Sequence, residues 1–337
     1  MMCGDSAEKL QEITDNSVDM LCTDPPYGYS FMGKGWDKAL PDTKIWRECY
    51  RVLKPGSFIT VMAAPRTDVL WRISRDLEEA GFDLSFSNIE WVYHSGFPKA
   101  TDIGKSIDKR QGVKGEVIGE YENSIPQITP WKDVERFESK NSITAPATDL
   151  AKKYEGSKAG FQPKPSREII IVGMKPFVEG SYIDHILNFE ALPENIKMTY
   201  PLIQTPKASK KEKDFGLGGE DKPSTNQIKN SKVNYNQTGK AYSSEVSMRK
   251  NNHPTVKPIK LMSYLITLFT RPGDWILDPF GGSGTTGLAC KLLDRNHIYI
   301  DFTEEYYDIA EERFKVSKDD LKKLLKEKIS NGQQELF

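Results

Sequence analysis

Asp24-Pro25-Pro26-Tyr27 directly follows an apolar run, Val18–Thr23 (VDMLCT). Neither proline can donate a backbone hydrogen bond, and both hold the chain extended. The turn therefore presents a carboxylate, a carbonyl and an aromatic ring at the end of a predicted strand. These groups suit an amino group on a planar ring. An exocyclic amine on adenine or cytosine is a poor nucleophile, because its lone pair is delocalised into the ring. Two acceptors on its hydrogens, the Asp24 carboxylate and the Pro25 carbonyl, favour a more pyramidal nitrogen, and Tyr27 can stack on the ring. A stiff proline turn with an Asp cap accounts for the same four residues equally well.

A second constellation lies far along the chain. Residues 275–286 read WILDPFGGSGTT, an apolar strand running into a glycine turn with a helix after it. Gly282 and Gly284 let backbone approach a ligand closely, and the new helix offers free N–H groups. No Gly-Lys-Ser/Thr follows, so this is no Walker loop, and it lacks the G-x-G-x-x-G spacing. Asp278 ends the strand, where ligands of open α/β sheets bind. The next strand also ends in an acid, Asp301, which suits the two hydroxyls of a ribose. A third segment, His253-Pro254-Thr255-Val256-Lys257-Pro258, precedes an amphipathic helix. Thr255 and Lys257 offer a hydroxyl and a cation suited to a carboxylate, although a lone lysine is commonly just solvated.

Positioning these groups requires a scaffold, and the patterning predicts one. Strands are expected at Val18–Thr23, Phe58–Ala64 and 89–94, with a helix across WRECYRVLKPG stopped by Pro55-Gly56 and another over Thr67–Ala80 ended by Gly81. Residues 99–250 are less regular, with one clear strand at Glu168–Gly173. Regular alternation returns with a helix at Ile259–Thr270, strands at Trp275–Asp278 and Ile298–Asp301, a helix between them, and a charged helix to about Ile329. Two α/β halves thus flank a polar middle, which predicts one doubly wound sheet with an insertion or second domain at its ligand-binding edge.

The 337 residues carry a net charge of −1, with 37 % hydrophobic and 28 % charged residues. No apolar run approaches the roughly 20 residues of a membrane helix, and the N-terminus does not read as a signal peptide. The four cysteines, Cys3, Cys22, Cys49 and Cys290, form no C-x-x-C pair, which excludes a zinc ribbon and fits a reducing cytoplasm. No metal is expected. None of the cysteines follows a proline, as the nucleophilic cysteine does in the C5-cytosine methyltransferases, so the chain does not resemble that family. The near-neutral charge is itself an average. Residues 196–250 hold eleven Lys and Arg against five acids, so the rest of the chain is acidic. That stretch reads either as a solvated loop or as a basic arm facing phosphates, through Lys207, Lys210, Lys211 and Lys213 among others.

In order, Gly4-Asp5, DPPY, HPTVKP, LDPFGGSGTT and the acid-ended strand resemble the amino-group DNA methyltransferases of the permuted β subgroup. The resemblance covers roughly 1–98 and 251–315. SGFPKATDIGKSIDK and PKPSREIIIVGMKPF resemble segments common in phage and prophage members. The family implies an α/β fold, a Rossmann-like doubly wound methyltransferase sheet, circularly permuted, with an inserted target recognition region. Residues 1–98 would be the catalytic half, 99–250 the recognition region and 251–337 the cofactor-binding half. It implies S-adenosylmethionine as methyl donor and double-stranded DNA as substrate, with the target base flipped out. By motif position, Asp24, Pro25, Pro26 and Tyr27 would be catalytic. Asp278, Pro279, Phe280, Gly281, Gly282, Ser283, Gly284 and Thr285 would form the cofactor loop, and Asp24 would lie near the cofactor too. Asp5 and Ser6 would approach the cofactor adenine, Phe302 would pack on it, and Asp301 would hold the ribose. His253, Thr255 and Lys257 would lie toward the methionine carboxylate. Two departures stand out: only Met1–Cys3 precede Gly4-Asp5, and Tyr299 and Asp301 stand where Gly and Glu are frequent. Asp at the first DPPY position leans toward adenine N6, with cytosine N4 as the alternative. An RNA or protein methyltransferase and an inactive DNA-binding relic are further readings. A homodimer and a partner restriction endonuclease are compatible with the resemblance, as is the cytoplasm of a bacterial or phage-infected cell.

Overall fold

The computed structural model describes residues 1–28, 39–93, 101–120, 142–159, 166–177, 181–189, 201–219, 222–223, 234–235, 241–242 and 248–329. Of the segments singled out above, His94, residues 95–100 of SGFPKATDIGKSIDK, residues 163–165 of PKPSREIIIVGMKPF and, within the basic stretch 196–250, Lys197, Lys229, Lys232 and Lys240 lie outside these. The chain forms two compact units, one of residues 1–95 with 166–337 and one of residues 96–165.

The larger unit is built on an eight-stranded sheet. Its strands are β1 (Met2–Cys3), β2 (Val18–Thr23), β3 (Leu53–Ala63), β4 (Ile89–Val92), β5 (Arg167–Met174), β6 (Leu202–Gln204), β7 (Trp275–Asp278) and β8 (Asn296–Asp301). Their order is β1-β8-β7-β2-β3-β5-β4-β6. The first five are mutually parallel, β5 runs antiparallel to both β3 and β4, and β4 and β6 are parallel. The fold is thus α/β, with one reversed strand in an otherwise parallel sheet. That strand, β5, falls in the segment expected to be inserted, yet it lies inside the sheet, between β3 and β4.

Both faces of the sheet are buried, and alternation along each strand assigns the residues. Met20, Cys22, Phe58, Met62, Ile170, Val172 and Ile276 pack on one face, beneath α3 (Ile259–Phe269). Leu21, Ile59, Val61, Ile171, Leu277 and Ile300 pack on the other with Trp46 and Ile73, from α1 (Thr43–Val52) and α2 (Thr67–Ala80). The α2 bounds match the sequence expectation, because Gly81 ends the helix at φ 108°, a left-handed conformation that glycine adopts freely. The preceding helix stops at Val52, before Pro55-Gly56. Those two residues lie inside β3, beside a register shift against β2. The expected single charged helix is instead two, α5 (Glu304–Phe314) and α6 (Lys318–Ile329). Ser317 restarts the helix by accepting the Asp320 amide at 3.1 Å. Between β7 and β8 runs α4 (Thr285–Leu293).

In the smaller unit, a helix over Ile103–Arg110 is capped by Asp102, whose carboxylate accepts the Lys105 amide. A second helix, Asp149–Lys153, is capped by Thr148. Asp108 accepts the Ala147 and Thr148 amides and the Thr148 hydroxyl, which lowers its pKa. No helix among the described residues is long and apolar enough to cross a membrane.

Candidate active site

Parallel strands end on a common edge. Thr23, Asp278 and Asp301 close β2, β7 and β8, so the proline turn, the glycine loop and the expected ribose acid share one rim of the sheet. A direct tie joins the first two. The Thr23 hydroxyl donates to Asp278 Oδ1 at 2.6 Å, and the Thr286 hydroxyl donates to Oδ2 at 2.6 Å. The Phe280 amide adds a third bond. Burial pushes the Asp278 pKa up to about 6 against these three bonds, and the charge of Asp24 pushes the same way. Asp278 thus uses both oxygens inside the protein.

Asp24 lies at the centre of a charged cluster. Its Oδ2 pairs with the Lys257 ammonium, and its Oδ1 accepts the Tyr27 hydroxyl at 2.7 Å. The same ammonium is 3.4 Å from Glu168 Oε2, and the Tyr27 hydroxyl is 3.2 Å from that oxygen. The Tyr93 hydroxyl reaches Glu168 Oε1 at 3.4 Å. Side-chain exposure is 8 % for Lys257, 14 % for Glu168 and 20 % for Asp24. Burial disfavours the Lys257 ammonium, but Asp24 and then Glu168 more than offset it, and its pKa is raised. Burial, with the two carboxylates after it, drives the Tyr27 phenol well above its usual range. Lys207, itself exposed, places its ammonium 4.2 Å from the Tyr93 ring centre.

The glycine loop is pinned from several sides. The Gly281 amide donates to the Ile300 carbonyl and the Gly282 amide to Asp301 Oδ2 at 2.8 Å. Tyr299, at the position where the family resembled frequently has glycine, donates its hydroxyl to the Gly282 carbonyl at 2.7 Å. A Cβ on Gly281 would meet the Tyr299 ring at 2.2 Å, and one on Gly282 would meet His253 Nε2 at 2.8 Å. Glycine there is a packing requirement as well as a means of ligand approach. Asp301 Oδ1 accepts the Thr303 amide at 2.8 Å, and burial raises its pKa. Phe302, next to it, is 60 % exposed. Asp5 caps the short helix Ser6–Lys9, and the buried Ser6 hydroxyl donates to the Pro279 carbonyl at 2.6 Å, which holds the N-terminal segment against the loop. Phe280 packs on Trp46 at 5.7 Å between ring centres. The Thr255 amide donates to His253 Nδ1 at 3.4 Å, so the two residues fix the turn that delivers Lys257.

The basic stretch has an anchor. Ser209 caps the turn Lys210–Lys213, in which Lys210 and Lys211 are exposed and Lys213 is half-buried. Glu212 is buried, and its Oε1 accepts the Ile259 amide at 2.7 Å, at the start of α3. Arg313, fully buried, donates to the Ser283 carbonyl at 2.5 Å and to the Glu212 carbonyl at 3.2 Å. Burial lowers its pKa to about 10, opposed first by Glu212.

Sequence reasoning singled out the proline turn, the glycine loop and the lysines of the Lys210–Lys213 turn as candidates. It missed Glu168, Tyr93, Glu212 and Arg313, none of which stands in a motif. Cys22, Cys49 and Cys290 are buried, and burial raises their thiol pKa values, that of Cys22 to about 12. Thiols held neutral in this way are poor nucleophiles.

A family model of the N6/N4 type, described as DNA methylase, matches residues 18–312. Over 322 residues the chain is 24 % identical to the type II methyltransferase M.HpaI of Haemophilus parainfluenzae, covering 93 % of this chain and 73 % of that protein. Over 80 residues it is 45 % identical to the type II methyltransferase M2.MboI of Moraxella bovis, a match spanning 24 % of this chain and only 29 % of that protein. Among solved structures, the PvuII DNA methyltransferase, described as cytosine-N4-specific, aligns with 99 % of this chain and 93 % of its own, at 20 % identity and a TM-score of 0.48.

Proposed function

Because this chain belongs to the DNA methylase family of the N6/N4 type, we propose that it transfers a methyl group from S-adenosylmethionine to the exocyclic N6 of adenine at a specific site in double-stranded DNA. The observation that carries this reading is the Thr23–Asp278 bond. It fixes the amine-accepting turn beside the glycine loop on one edge of the sheet, so a donor held by the loop and an amine held by the turn would meet.

The residues present fit the cofactor. An exposed ring at Phe302 adjoins an acid at Asp301, which suits an adenine and its ribose hydroxyls. Gly281, Gly282, Ser283 and Gly284 border the same edge. Ser6 reaches that loop through the Pro279 carbonyl, and Asp5 caps the helix that Ser6 begins. The Asp24–Lys257–Glu168 cluster, two carboxylates and one ammonium, has the charge opposite to a sulfonium. When bound, the cofactor supplies an electrophilic methyl group on that sulfonium.

The protein's own groups do the rest by positioning. The target amine is unreachable within the duplex, so the base is flipped out. The Asp24 carboxylate and the Pro25 carbonyl accept its two N–H groups, and the Tyr27 ring, fixed through its hydroxyl on Asp24, stacks on the base. The nitrogen lone pair then faces the methyl group. The exposed Lys207, Lys210 and Lys211, with Lys213 beside them, would grip phosphates, and residues about 99–250 would read the sequence. The chain order, proline turn before glycine loop, supports the permuted arrangement.

Nucleoside mass spectrometry of duplex DNA incubated with enzyme and cofactor tests this. N6-methyladenine is expected; N4-methylcytosine without it overturns the base assignment. Asp24→Ala should slow transfer at saturating cofactor about 10²-fold or more, the scale set by losing one preorganised hydrogen-bonding group. Transfer at the parent rate would remove Asp24 from the mechanism.

A further inference from the structure

Within the charged cluster, Asp24 is neutralised as it stands. Its partner Lys257 is almost fully buried, so water does little to screen the pair. A carboxylate paired with an ammonium is a weaker acceptor for an incoming amine. It also contributes no net charge to a reaction that moves positive charge from sulfur to nitrogen. Glu168 changes that balance. It is the second residue of β5, the one reversed strand of the central sheet, and so its carboxylate arrives at the rim where the parallel strands end. Its Oε2 is 3.4 Å from the Lys257 ammonium and 3.2 Å from the Tyr27 hydroxyl, the two groups that also hold Asp24. Its Oε1 is 3.4 Å from the Tyr93 hydroxyl, so the carboxylate is restrained from both ends. The three charges sum to minus one.

We propose that Glu168 is a positioning residue for methyl transfer: it shares Lys257 with Asp24, leaves the Asp24 carboxylate available to the target amine, and gives the pocket the net negative charge that favours positive charge on nitrogen. This rests on the amino-methyltransferase reading of the same site. The base nitrogen forms its bond to the methyl carbon as the carbon–sulfur bond breaks with its electron pair going to sulfur. The proton then leaves the nitrogen for solvent. Glu168 exchanges nothing covalently. It acts through Lys257 and Tyr27.

Single-turnover transfer from labelled cofactor to duplex DNA, with cofactor and DNA saturating for each full-length protein, tests the role. Glu168→Gln keeps the size and the hydroxyl contacts and removes only the charge. The transfer rate constant is expected to fall about 10²-fold, in the range for losing one preorganised electrostatic group, with dissociation constants for cofactor and DNA within about threefold of the parent. Glu168→Asp, which retains the charge, should transfer at least tenfold faster than Glu168→Gln. The deciding measurement is the double variant Glu168→Gln/Lys257→Met. With the ammonium gone, Asp24 regains an uncompensated charge, and transfer should recover at least tenfold over Glu168→Gln alone. A purely structural Glu168 would leave the double variant as slow as the single or slower, and that result overturns the inference, as does a Glu168→Gln enzyme that keeps the parent rate. If Glu168→Gln fails to fold, the test falls to Glu168→Asp, which should stay within tenfold of the parent, and a deeper loss overturns the inference. A parent protein that methylates no DNA overturns the functional reading and this inference together. A parent that does, beside variants that do not respond as stated, overturns this inference alone.

Discussion

Asp24, Asp278 and Asp301 are the same residue type at the ends of three neighbouring strands, and their surroundings divide the work. Asp24 meets an ammonium and a phenol, Asp301 meets two backbone amides, and Asp278 meets two threonine hydroxyls and an amide in a fully buried position. Burial raises the Asp278 pKa to about 6, above the ordinary carboxylate value of about 4 in the unfolded chain. The folded protein therefore binds the proton more tightly. The resulting stabilisation is complete below pH about 4 and is lost as pH rises through about 6, and it amounts to about 3 kcal/mol. Asp278→Asn carries no such titration. Its melting temperature relative to the parent should therefore climb between pH 4 and pH 7. A difference that stays constant over that range would show that Asp278 does not titrate there.

At the scale of elements, the decisive features are two junctions that no local pattern marks. One is the direction of β5. Its apolar run EIIIVG is visible as a strand, but apolar patterning is the same in either direction, so the rim that Glu168 joins is invisible in it. The other is the start of α3. Pro258 precedes the helix and offers no side-chain cap, and Glu212 supplies the missing acceptor from 47 residues upstream. The Glu212 main-chain carbonyl accepts from the buried Arg313, which in turn holds the Ser283 carbonyl of the glycine loop. Glu212→Ala would leave the buried Ile259 amide without its acceptor and remove the carboxylate charge that opposes the desolvation of Arg313, and should cost about 1–3 kcal/mol in denaturant unfolding. Glu212→Ala/Arg313→Met should cost less than the sum of the two single changes, and strict additivity would mean that the two residues do not interact. Local signals did suffice elsewhere. Gly81 ended α2 and the glycine turn ended β7 where expected, because both stops depend on residues adjacent in sequence.

At the scale of the whole molecule, the near-neutral total charge is a sum over an acidic framework and a basic stretch. The described part of that stretch is fastened by Glu212, while Lys207, Lys210 and Lys211 stay exposed. If those three contact phosphates, DNA binding should be salt-sensitive. Reversing all three to Glu should flatten the slope of log affinity against log salt by about 3, with cofactor affinity unchanged. An equal fall in cofactor affinity would make the segment a structural brace instead. The sequence by itself determined the candidate groups, the order of the motifs and most strand and helix positions, because these depend on residue type and short spacing. Tertiary structure decided the company those groups keep. Lys257, expected near a ligand carboxylate, pairs with Asp24 across 233 residues, and Tyr27 meets Glu168 across 141. Those contacts follow from which strands are neighbours and which way each one runs, and both are settled only when the chain closes its sheet and buries the two faces.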